Sequence, residues 1–186
     1  MTALTLGNLA TVDARQAPEL LAASVSQALA TSATFAVAVA PIDPGVADTA
    51  AFCAAYDVRL SSSANCVVLL GKRGDQWKWA AAVVLATTRA DVNGTIKRLL
   101  DVRKVSFAPM DAAVSATGME YGGITPIGLP APWSVYIDRA VVEAGLVVIG
   151  SGLRKSKIVI AGASLAALPG AEVIDGLASE PTSSTR

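Results

Sequence analysis

The segment Gly122-Gly123-Ile124-Thr125-Pro126-Ile127-Gly128-Leu129-Pro130 stands out for what its backbone can do. Glycine lets a ligand approach the main chain closely, and proline stiffens the same loop. A loop that is both permissive and stiff presents N–H and C=O groups at fixed positions. That suits recognition of a small polar group such as an amino acid or a ribose. A long structural turn is the alternative. A second candidate is Ile149-Gly150-Ser151-Gly152, at the end of an expected strand. Glycines at strand ends border ligand crevices in α/β sheets. Neither segment completes a nucleotide motif. Gly150-Ser151-Gly152 lacks the third glycine of a dinucleotide fingerprint, and Gly71-Lys72 lacks the upstream glycine and following Ser or Thr of a phosphate loop.

The chain has no histidine. That excludes Ser-His-Asp and Cys-His nucleophiles and His-containing zinc sites. Carboxylates, lysines, hydroxyls, a thiol or the backbone must carry any chemistry, and no metal or cofactor is expected. Cys66 could attack only if a cation or a helix N-terminus lowered its pKa. In an apolar strand a small buried thiol is the simpler expectation, and Cys53 reads the same way. Asp138 is read as a helix cap before an acid or base. Arg89 lies just past an expected strand, as a solvated loop residue or a cation turned toward a neighbouring strand's end. Trp77 and Trp79 share one strand face, where packing is favoured over base stacking.

These residues need elements to position them. Pro18, Leu21, Val25 and Leu29 predict a helix over 18–31, after a lead-in with little periodicity. Residues 34–40 read as a strand stopped by Pro41, and Asp48 caps a helix over 49–56. Residues 64–70 and 77–86 read as paired strands joined through Gly71–Asp75, a connection of about five residues. The run 80–86 does not alternate, which points to burial on both faces. Asp91 caps a helix through Leu100, weakened by Gly94. A short strand at 105–107 and a helix over 109–117 follow, the helix stopped by Gly118. Strands are expected at 134–137, 145–149, 157–161 and 171–174, with Asp138 capping a helical turn and a short helix over 164–168. The predicted fold class is α/β (α+β), a mixed sheet surrounded by helices.

Composition sets the frame. The 186 residues are 53% hydrophobic and 16% charged, so most of the chain should fold. One domain over 1–177 is expected, with a disordered tail over 178–186. No window reads as a membrane span, and no signal peptide is expected. Two cysteines point to a reducing, cytoplasmic setting. Net charge is zero but uneven: residues 59–157 hold thirteen bases against seven acids, and both flanks are acidic. This basic middle is either solvated surface or a phosphate-binding face.

The segments ADTAAFCAAY, SANCVVLLGKRG, TGMEYGGITPIGLP, VYID and VVIGSGLRKSKIVI occur in order from residue 47 to residue 160. Together they resemble YbaK/EbsC-type domains, which include prolyl-tRNA-synthetase editing domains; the likeness spans roughly 48–176. The resemblance implies a mixed sheet with surrounding helices. It also implies hydrolysis of the ester between a wrong amino acid and the 3′ end of tRNA, with mischarged aminoacyl-tRNA as partner. It assigns Asn65, Gly123 and Ser151 to catalysis. Cys66, Arg89, Gly122, Ile124, Thr125, Pro126, Gly128, Gly150, Gly152 and Asp138 are assigned to substrate binding. The family's strand lysine falls at Asn65, which donates a hydrogen bond without charge. Losing one such contact to a transition state costs about 10²–10³ in rate. Three arrangements follow. Asn65 positions a different ester, a nearby cation such as Arg89 or Lys72 substitutes, or the fold binds a ligand or partner without catalysis.

Overall fold

A computed structural model of the chain describes residues 4–31 and 36–181. In chain order the strands are β1 Val12–Asp13, β2 Val37–Pro41, β3 Ala64–Arg73, β4 Gln76–Leu85, β5 Arg89–Ala90 and β6 Lys104–Phe107. They continue as β7 Ser134–Asp138, β8 Leu146–Gly150, β9 Ser156–Ala161, β10 Ala171–Ile174 and β11 Ala178–Ser179. The helices are α1 Ala23–Thr31, α2 Thr49–Tyr56, α3 Lys97–Leu99, α4 Met110–Thr117 and α5 Arg139–Glu143, with several short 3-10 turns.

Two sheets carry the structure. One has the order β1-β2-β9-β8, the other β10-β7-β4-β3-β6, in which β4-β7 and β7-β10 are parallel and the remaining pairs antiparallel. The mixed α/β class is therefore as expected. Alternation along the strands sorts the apolar residues. Val37, Val39, Val147, Ile149, Ile158 and Ile160 face Val83, Leu85, Val135 and Ile137 across one core, closed by Val25 and Leu29 of α1. The opposite face of the first sheet packs Ala38, Ala40, Val148 and Val159 on Phe52 and Cys53 of α2. The outer face of the second sheet packs Leu69, Ala80, Ala82 and Val84 on Ile96, Leu100 and Val102. β4 is thus covered on both faces, which is why its middle reads Ala-Ala-Ala-Val-Val without alternation.

Several boundaries differ from the sequence reading. The helix expected over 18–31 splits into a 3-10 turn, Pro18–Leu20, and α1, because Leu21 is extended and Ala22 N–H donates to Ser151 O at 3.1 Å. A tertiary bond outweighs local propensity there. Residues 34 and 35 of the expected second strand lie outside the described residues. The β3–β4 connection is only Gly74-Asp75, with Gly74 at φ +61°. Gly71 is not in the turn: it pairs with Val105, and a Cβ there would lie 2.9 Å from Val102 Cγ1. Over 92–96 the backbone forms a wide π turn, leaving α3 only three residues. The Asp91 carboxylate accepts from Gly94 and Thr95 N–H, and those bonds, Thr95 first, hold its pKa below the ordinary value.

The tail expected from residue 178 does not begin there. Ala178–Ser179 pairs antiparallel with Arg89–Ala90. Asp138 anchors it: Oδ2 accepts from Ala178 N–H at 2.7 Å while Oδ1 caps α5 through Ala140 N–H at 2.9 Å. Residues 182–186 lie outside the described residues. One buried carboxylate therefore holds a helix start and a chain end together, which makes its loss measurable. Asp138→Ala should lower unfolding free energy by about 2 kcal/mol in urea titration. An unchanged midpoint would show that neither bond contributes.

Candidate functional site

Besides their shared core, the two sheets are joined by a backbone bridge. Ser63, just before β3, forms an isolated parallel bridge with Val148 of β8. Further along β3, β6 takes over the same edge, pairing from Leu69 to Lys72. Ala108 N–H donates to Val68 O and Arg103 N–H to Lys72 O, so even-numbered residues of β3 turn their peptide groups to this edge. By that alternation Cys66 presents its N–H and C=O where β8 has ended and β6 has not begun. A cavity of about 660 Å³ opens at this gap.

Its walls come from distant parts of the chain. Ala64–Val68 form the back, and Ala47, Asp48 and Thr49 at the start of α2 form one side. Tyr121, Gly122 and Ile124 come from the glycine loop, and Val148, Ile149 and Gly150 from β8. Phe107, Ala108, Met110 and Ala113 add an apolar wall, and Arg154 and Lys157 bring the cations. Asn65 Oδ1 accepts from Thr49 Oγ1 at 2.9 Å. This leaves the Asn65 amide N–H₂ as the donor toward the cavity.

The glycine segments converge main chain to main chain. Gly152 N–H donates to Gly123 O at 2.7 Å, and Glu120 N–H to Gly152 O at 2.8 Å. A Cβ on Gly150 would lie 2.3 Å from Gly123 O, and one on Gly123 2.7 Å from Leu153 backbone. No side chain fits between them, so these glycines are needed for contact as much as for conformation.

Lys157 is the residue that sequence reasoning missed. It precedes Ile158 on β9 and shares a face with Val159, under α2. It is 8% exposed, its Nζ donates to Ala47 O at 3.3 Å, and it sits 5.4 Å from the Phe52 ring centre. Burial pushes its pKa down, with Cys53 and Asp48 pulling the other way and Arg154 adding to the fall. The available signal was a lysine inside an otherwise apolar strand, since a buried charge is costly unless it is used. Arg154 closes the mouth: Nη1 donates to Tyr121 O at 3.2 Å and Nη2 to Pro44 O at 3.3 Å, and its own N–H donates to Glu120.

Of the residues singled out in the sequence, Asn65, Cys66, Gly122, Ile124 and Gly150 line the cavity. Gly123 and Gly152 stand behind it as packing glycines. Ser151 does not reach it. Its hydroxyl is fully buried against Ser156 Oγ at 2.8 Å and backbone carbonyls. Thr125 and Pro126 are buried away from the cavity, and Gly128 packs against the Ser24 carbonyl. Asp138 is committed to Ala140 and Ala178. Arg89 is exposed on β5, and Lys72 lies at the far end of β3, so neither stands in for the absent lysine. Trp79 stacks on Trp133 with ring centres 4.8 Å apart, as packing predicts, whereas Trp77 is 58% exposed.

A profile of the aminoacyl-tRNA editing domain matches residues 43–168, more than half of the chain. The chain belongs to the aminoacyl-tRNA editing domain family. Solved structures agree on the fold. One is described as a candidate trans-editing enzyme for prolyl tRNA synthetase, with TM-score 0.71, 23% identity, and 83% of this chain and 94% of that chain covered. Another is a hypothetical protein, APE2540, with TM-score 0.70, 21% identity, and 84% and 99% covered. A third is a scaffold used in epitope backbone grafting, with TM-score 0.71 and 23% identity over 83% and 95%. Among the described residues of this editing domain, no helix is long and apolar enough to cross a membrane.

The cavity also decides the standing of its thiol. Apolar surroundings push Cys66 up to about 12. Its alkylation by iodoacetamide at neutral pH should run on the order of a thousandfold slower than that of a free cysteine. Peptide mapping would follow Cys66 separately from Cys53. Rapid modification of Cys66 would contradict the protonated state.

Proposed function

We propose that this editing domain is a trans-acting aminoacyl-tRNA deacylase. The observation that carries the reading is the cavity itself. An uncharged amide, a buried ammonium and an open pair of backbone groups surround a space sized for an aminoacyl ester. Membership of the editing family supports the substrate class. The apolar wall of Val68, Met110, Ala113 and Ile124 suits an aliphatic amino-acid side chain.

The chemistry needs no protein nucleophile. Water adds to the ester carbonyl, charge develops on its oxygen, and the bond to the ribose 3′ oxygen then breaks. One proton of the water passes to the ribose oxygen, which leaves as a hydroxyl, and the other is released to solvent as the amino acid departs as a carboxylate. Donors aimed at the oxyanion lower this barrier without rearranging during the reaction. Asn65 Nδ2, Cys66 N–H and Lys157 Nζ fill those roles in our reading. Asn65 is steadied through Thr49 and Lys157 through Ala47, two positions apart on the lead into α2. The ammonium that the family resemblance places at residue 65 is thus supplied from β9.

Incubation with a panel of mischarged tRNAs tests the reading. At least one should be deacylated well above the buffer rate. Saturable binding with no turnover on any of them would leave a silent binding module instead. Lys157→Met should lower kcat/KM by about 10²–10³. It should leave Tm unchanged or higher, because an apolar isostere replaces a buried charge. Normal turnover in that variant would remove Lys157 from the mechanism.

The pH dependence has a definite sign. The folded pKa of Lys157 lies below its ordinary 10.5. Its ammonium, and the enzymatic acceleration over buffer, should be lost as pH rises through that lowered value. Folding stability should rise over the same interval, because the unfolded chain there binds more protons than the folded one. Parallel rate and urea-melt profiles would check both trends.

A further inference from the structure

A second groove lies on the second sheet, lined by Leu70, Lys72, Trp77, Lys97, Arg103 and Lys104 among others. Four of these side chains are cationic, and none has a carboxylate partner among the described residues. The register explains the convergence. Lys72 lies directly opposite Trp77 on β4 and Lys104 on β6, so the three share one sheet face. Lys72 Nζ stands 4.9 Å from the Trp77 ring centre. Two nearby acids are occupied elsewhere. Asp101 pairs with Arg73, and Asp91 accepts the Gly94 and Thr95 N–H groups.

Four unpaired cations held together repel one another, and a polyanion relieves that repulsion. An exposed indole beside them adds a stacking surface, which a simple anion does not use but a nucleotide does. The groove and the cavity lie along the same two strands, β3 and β6. Lys104 and Ser106 of β6 line the groove, while Phe107 and the adjoining Ala108 line the cavity. Lys104 to Phe107 spans about 10 Å at strand rise. That is roughly three nucleotides at the 3.4 Å spacing of one stacked strand.

We propose that this groove docks the acceptor arm of the tRNA whose aminoacylated 3′ end enters the cavity. Lys72, Lys97, Arg103 and Lys104 neutralise backbone phosphates, and Trp77 stacks on a base or ribose near the 3′ end. The proposal rests on the deacylase reading for the identity of the RNA, but its surface is distinct from the cavity.

The test separates the two. Deacylated tRNA binding is measured by fluorescence anisotropy across a salt series. Ester hydrolysis is measured on 3′-aminoacyl adenosine, which has no stem. The comparison uses the intact chain and a variant carrying Lys72→Gln, Lys97→Gln, Arg103→Gln and Lys104→Gln. The variant should bind tRNA at least roughly tenfold more weakly, with the log–log salt slope shallower by about 3. Its turnover of the small ester should match the parent's. Trp77→Ala alone should weaken tRNA binding roughly tenfold without changing that slope. Unchanged tRNA affinity in the cation variant would overturn the proposal. So would equal loss of small-ester turnover, or binding of anionic vesicles in preference to tRNA. Failure of the parent to cleave any aminoacyl adenosine would count against the deacylase reading alone, since the tRNA-binding arm still reads the groove.

Discussion

Contact between bare backbones holds this site together. Gly123, Gly150 and Gly152 bring the 118–133 loop against the end of β8 at distances that a single methyl group would break. Glu120 and Arg154 reinforce the same junction from the solvent side. With the loop fixed, Gly122 and Ile124 become one wall of the cavity and Ile149 and Gly150 another. The catalytic geometry we infer inherits its precision from Gly123 and Gly152, which stand behind the walls. That is an efficient use of glycine, whose conformational cost is repaid only where nothing else fits.

The division of labour at the gap in β3 follows from topology. A strand edge that passes from β8 to β6 leaves a short stretch around Cys66 unpaired between them. Main-chain donors and acceptors are obligatory hydrogen-bonding groups, so an open pair in a partly enclosed space favours a polar occupant. Asn65 beside it is neutral, and the positive charge arrives on Lys157 from the other sheet. Charge and hydrogen-bond donor are thus held by different layers of the fold and tied to the same short lead into α2.

Much of this was legible in the sequence, and the gaps have physical causes. The β3–β4 pair, α2 with its Asp48 cap, the Gly118 stop and the two glycine segments are local patterns, set by periodicity and turn chemistry. Asn65, Cys66, Gly122, Ile124 and Gly150 line the cavity. Ser151, which the family resemblance assigned to catalysis, is turned inward because a buried Ser156 from the next strand claims its hydroxyl. Asp138 was correctly read as a cap, but its second oxygen serves a chain segment that had looked like tail. Lys157 escaped because its neighbour in space, α2, lies over a hundred residues earlier. No window of sequence contains both.

The opening in β3 has one more consequence. The unpaired stretch of that edge is short, because β8 closes it on one side and β6 on the other. An extended polypeptide binds by laying several consecutive units along a free edge. Here the free stretch lies between Ser63 and Leu69, so it offers a β-strand little length to pair along.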